Sequence, residues 1–93
     1  MKPKVLIIDD EESIRSSLKM TLEYKDYECV LAANGEAGLK IAERENPDVV
    51  FLDIKMPQMD GMEVLKRLKA ADPSPPVVMI SGHADVATAF EAS

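Results

Sequence analysis

Oxygen-bearing side chains follow three short apolar runs in this chain. Asp9 and Asp10 come after Lys4–Ile8, Asp53 closes the run that starts at Val49, and Ser81 comes after Val77–Ile80. Runs this short and this rich in Val, Ile and Leu read as buried strands rather than helices. In a parallel sheet their ends all point the same way, toward the edge where open α/β sheets keep their ligands. With the first and third strands as neighbours, about 4.8 Å apart, Asp9 or Asp10 converges with Asp53. Carboxylates held that close raise one another's pKa and need compensation. A hard cation supplies it: Mg2+ takes one or two carboxylates at about 2.0–2.1 Å and leaves its other positions to water or phosphate oxygens. The chemistry implied is phosphoryl transfer, which depends on positioning and charge neutralisation. A carboxylate can itself be the nucleophile and become an aspartyl phosphate, with the Ser81 hydroxyl donating to one of its oxygens. The plainer alternative is that these carboxylates only cap turns. Three coincident strand ends count against it.

The elements that must position these groups alternate regularly. After the first strand, Ile14, Leu18 and Leu22 place one apolar stripe on a helix over Ser13–Tyr24. Tyr27–Ala32 reads as a second strand, and Asn34-Gly35 opens a helix with Ala37, Leu39, Ile41 and Ala42 inside, stopped at Asn46-Pro47. The Asp53 strand follows, then a loop through Pro57. A helix begins near Gly61, with Met62, Leu65 and Leu68 as its expected buried face and Asp60 and Glu63 at capping-box spacing. Asp72–Pro76 is a turn, Val77–Ile80 a fourth strand, and Asp85 caps a helical start over Val86–Ala92. Strands alternating with helices imply a doubly wound α/β fold with a parallel sheet and right-handed crossovers.

Composition narrows the function classes. The chain has 93 residues, enough for one small domain, and its 46% apolar content can build a core. A formal charge of −6 without any Lys/Arg block makes nucleic acid and anionic membrane poor partners. Cys29 stands alone, so neither an internal disulfide nor a zinc knuckle can form, and it reads as a small buried hydrophobe. No apolar run approaches the roughly 20 residues of a membrane span and no signal-peptide pattern opens the chain, so a cytoplasmic setting is expected. Nucleotide-binding glycine patterns are absent. His83 reads as a loop residue, Met56, Met59 and Met62 as core and loop fillers, and Lys66, Arg67 and Lys69 as a solvated helix face.

Ile7-Ile8-Asp9-Asp10-Glu11-Glu12, the segment from Phe51 through Asp53, Lys55 and Pro57 to Gly61, and Ile80-Ser81-Gly82-His83-Ala84 together resemble the receiver domain of bacterial response regulators. The resemblance covers the whole chain, with the motifs in order. Met79 to Asp85 looks most like receivers of the nitrogen-regulation class, whose output is a σ54-dependent activator. The resemblance implies a flavodoxin-like sheet of order 2-1-3-4-5 and makes Asp53 the phosphoacceptor for a phosphohistidine on a sensor histidine kinase. It also implies Mg2+ held by Asp10, Asp53 and the backbone carbonyl of Lys55, with Asp9 acting through a water. Ser81 fills the position that contacts the phosphoryl group, and an output domain or effector lies outside this chain.

One departure from the family pattern bears on function. Receivers carry a lysine at the end of a fifth strand and an aromatic residue on that strand, and the sequence stops at Ser93 before either. Neither Lys55 nor Lys66 can be assigned the lysine's role. The expectation is therefore a receiver over residues 1–93 of order 2-1-3-4, with the fifth strand and last helix missing. Its fourth strand would be exposed for pairing with a second copy, directly or by exchange of an element. Two other readings stay open from sequence: a phosphorylation-independent pseudo-receiver, and a Mg2+-dependent aspartyl-phosphate phosphatase. The second usually shows Asp-x-Asp, whereas Lys55 stands two residues beyond Asp53.

Overall fold

All four apolar runs become strands, and the helices take the segments between them. The computed structural model describes residues 2–54 and 60–80, in the order β1 (Lys4–Ile8), α1 (Glu12–Tyr24), β2 (Glu28–Ala32), α2 (Gly35–Glu45), β3 (Val49–Asp53), α3 (Gly61–Ala71) and β4 (Val77–Ile80). The strands pair in parallel in the order β2-β1-β3-β4. This is the expected doubly wound topology. The expected Asp85 cap and the helical start over 86–92 lie outside the described residues, as do Met56, Met59 and His83.

The alternation of side chains along each strand divides the core in two. Leu6 and Ile8 of β1 and Val50 and Leu52 of β3 face α2 and α3, where they pack with Val64 and Leu68. Val5 and Ile7 face α1 and pack with Leu18 and Leu22. Leu6, Ile7, Ile8 and Leu52 have no exposed surface, and burying a side chain of this size stabilises the fold by about 1.5–3 kcal/mol. Cys29 is only half-buried, because β2 lies at the margin of the sheet.

Several local expectations are corrected. Leu68 is buried and Leu65 packs against the core as expected, but Met62 is 58% exposed, and Gly61 and Val64 take its place on the buried face. Asp60 does cap α3, its Oδ1 accepting from Met62 N at 3.0 Å, but Glu63 does not complete a capping box; it pairs with Arg67 one turn on, Nε to Oε2 3.0 Å. Lys69 is not simply solvated: its ammonium donates to the carbonyls of Pro73 and Pro75 and so ties the turn before β4 to the helix. Tyr27 falls in the turn after α1, where Asp26 takes a left-handed conformation and Tyr27 N reaches back to Leu22 O. As expected, Asn46 ends α2 in the left-handed region and Asn34 caps its start, accepting from Ala37 N at 2.8 Å.

The strand entrances are fastened by charge. Lys4 Nζ lies 2.9 Å from Glu45 and 3.7 Å from Glu28, and Lys4 N donates to Asp48 Oδ2 at 2.7 Å. These contacts join the starts of β1 and β2 to the end of α2 and the approach to β3.

Candidate metal and phosphoacceptor site

At the other end of the sheet β1 and β3 stop in carboxylates. The β1–β3 register pairs Ile8 with Leu52, so Asp9 and Asp53 occupy the next rung. Asp9 N still donates to Ala32 O at 3.1 Å, which carries the β1–β2 ladder one residue past the strand. Asp53 lies opposite Ile80 of β4, and Ile54 N donates to Ile80 O at 3.0 Å, which fixes the backbone where the chain leaves β3. Both carboxylates are buried, Asp9 at 4% and Asp53 at 7% exposure, while Asp10 is exposed.

Gly61 makes room for this arrangement. A Cβ at that position would come 2.5 Å from Ile54 Cα and 2.8 Å from Asp53 O, too close for any side chain without a backbone shift. The first turn of α3 therefore rests directly on the peptide that follows Asp53.

One carboxylate oxygen from each of Asp9, Asp10 and Asp53 lies within 4.8 Å of the other two. Asp9 bears the cost: burial, opposed by a hydrogen bond from Glu11 N and increased by the negative charges of Asp53, Asp10 and Glu11, raises its pKa to about 6. A divalent cation would relieve that repulsion. Mg2+ takes one or two carboxylates directly and fills its other positions with water or phosphate oxygens, and three carboxylate oxygens within 4.8 Å of one another would offer it such a donor set. Asp9, whose Oδ1 already accepts from Glu11 N at 2.9 Å, suits the indirect role. The donor set thus fits the ion.

The structure brings together Asp9, Asp10 and Asp53 as the sequence predicts. Lys55 and Ser81 lie outside the described residues. Sequence reasoning missed Arg15, whose guanidinium Nη1 donates to Asp9 O at 2.7 Å. The available signal was a cation placed early in α1, where the helix dipole disfavours positive charge.

Residues 5–93 match a family described as the response regulator receiver domain. The chain is a member of that family. Receiver domains are signalling domains of two-component systems. The chain is 42% identical over 81 residues to the alkaline phosphatase synthesis transcriptional regulatory protein PhoP of Bacillus subtilis, a match covering 87% of this chain but only 34% of PhoP. A CheY-like receiver domain structure from Methanospirillum hungatei superposes with a TM-score of 0.86 at 30% identity, covering 99% of this chain and 76% of that one. NtrX from Brucella abortus superposes with a TM-score of 0.84 at 35% identity, covering 99% of this chain and 21% of NtrX. No helix among the described residues is long and apolar enough to cross a membrane.

Proposed function

We propose that this receiver is a phosphorylation switch with Asp53 as its phosphoacceptor. An Asp53 carboxylate oxygen forms the new P–O bond while the P–N bond to a kinase phosphohistidine breaks, and the departing imidazole takes up a proton. Asp10, Asp53 and the Lys55 carbonyl would hold Mg2+, with Asp9 acting through a water. The ion supplies positive charge to offset that of the transferring phosphoryl oxygens. Asp10 and Asp53 orient the site, and the Ser81 hydroxyl donates to a phosphoryl oxygen. Reversal is slow hydrolysis: water attacks phosphorus, the P–O bond to Asp53 breaks, and inorganic phosphate leaves.

The observation that carries this reading is the convergence of Asp9, Asp10 and Asp53 at one sheet edge. Acetyl phosphate with Mg2+ tests it. The chain is expected to gain one phosphoryl group, and Asp53→Asn, which keeps shape but removes the anionic nucleophile, is expected to gain none. Equal labelling of Asp53→Asn would refute the assignment.

Finer features belong to the same proposal. Residues 1–93 belong to one receiver, incomplete at its C-terminus, that acts in the cytoplasm and feeds an output domain that regulates transcription. The likeness to NtrX supports the nitrogen-regulation class, and the name of PhoP supports a transcriptional output.

A further inference from the structure

Arg15 stands in the second turn of α1 amid acidic neighbours, yet its guanidinium donates to a main-chain carbonyl, Nη1 to Asp9 O at 2.7 Å. The contacts around it form a ring. Asp9 Oδ1 accepts from Glu11 N at 2.9 Å, Glu11 O accepts from Arg15 N at 3.1 Å, and the Arg15 side chain returns to Asp9 O. Asp9 N is in turn anchored to Ala32 O of β2. Asp10 is the residue inside this ring. Its own side chain is exposed, so the direction of its carboxylate depends on the peptides before and after it.

We infer that Arg15 is a positioning residue for the metal site, holding the Asp9–Asp10 peptide so that Asp10 faces Asp53. This rests on the proposed function, because it assumes that Asp10 and Asp53 ligate the ion. A guanidinium fits the task because its planar fork loses little freedom per bond formed and its charge strengthens the bond to the carbonyl. The bond reaches past the first helical turn to the strand end, so it also fixes where α1 begins relative to β1.

The sign of the effect distinguishes this role from a general charge effect. If Arg15 were only a nearby positive charge, removing it would deepen the negative field and tighten Mg2+ binding. If it positions Asp10, removing it weakens binding, by about tenfold on the scale typical of residues behind a metal's ligands. The test is calorimetric Mg2+ titration of the wild-type chain, Arg15→Met and Arg15→Lys, with thermal melting to verify folding. Arg15→Met is expected to bind about tenfold more weakly. Arg15→Lys, which keeps a charged donor on a long stem, is expected within about threefold of wild type. Should the Met variant not fold, Arg15→Gln replaces it, being polar but two bonds too short to reach the carbonyl, with the same tenfold loss expected. Unchanged or tighter binding in the folded Met or Gln variant would overturn the inference, and so would a folded Lys variant as weak as the Met one. Failure of the metal-site reading would show instead in the wild-type chain, as no Mg2+ binding at all.

Discussion

Replacing Asp9 by Asn should stabilise the metal-free receiver. Asp9 is 4% exposed, and burial with three acidic neighbours lifts its pKa from 3.8 to about 6. Between those values the folded chain holds a proton that the unfolded chain has released. Stability from this group therefore falls as pH rises from about 4 to 6, and the full penalty is present at pH 7.5. At 1.36 kcal/mol per pH unit the ceiling is about 3 kcal/mol, and water at the open edge beside exposed Asp10 should reduce it to about 1–2 kcal/mol. Asn keeps an Oδ1 that can accept from Glu11 N, so the substitution removes charge and little else. In a domain this small the gain corresponds to a Tm higher by roughly 5–15 °C. The assay is thermal melting of both chains in chelator at pH 7.5 and at pH 4, then at pH 7.5 with Mg2+. The Asn variant should lead at pH 7.5, lose its lead at pH 4, and gain less from Mg2+ than wild type does. Equal melts at pH 7.5, or a lead that persists unchanged at pH 4, would refute the electrostatic reasoning.

Two further outcomes follow from the site. Asp10→Ala should weaken Mg2+ binding more than Asp9→Ala, since a direct ligand is lost rather than a water-mediated one; titration of the two variants checks the order, and equal affinities in wild type and Asp10→Ala would misplace the metal. Gly61→Ala forces its new methyl against Ile54 Cα and Asp53 O, so a cost of about 1–3 kcal/mol and a Tm lower by roughly 5–20 °C are expected by calorimetry, whereas an unchanged melt would mean that the loop yields freely.

The acidic edge was legible because two simple signals coincide. A run such as Val5–Ile8, short and rich in β-branched residues, reads as a buried strand, and a carboxylate that ends it emerges at the strand's mouth. Parallel pairing then aligns the mouths without further information. The phase of α3 was not legible in the same way. Met62 is as apolar as Val64, but it falls to one side of the stripe that Gly61, Val64 and Leu68 form, and only contact with the sheet selects between them. Glu63 had two partners at workable spacing, the backbone behind it and Arg67 ahead, and the second prevailed. Arg15 leaves one mark, a cation early in α1, but the sequence does not show what it binds. Its partner is a main-chain carbonyl, and a carbonyl leaves no mark on the sequence.

The fastening at Lys4 has a consequence at the far end of the molecule. There Glu45, Glu28 and Asp48 are met by a cation or an amide, so the acidic charge at the strand entrances is largely answered locally. Asp9, Asp10 and Asp53 instead gather three acidic groups at the strand exits, one oxygen of each within 4.8 Å of the others. Among the described residues, acidic charge is thus answered at the strand entrances and gathered at the strand exits, and on the proposed function the exits are where a phosphorylated donor would arrive. On that same function, a donor bearing two negative charges would be repelled from the exits until a cation had entered. The sheet would then set an order in time, the metal first and the phosphoryl donor second.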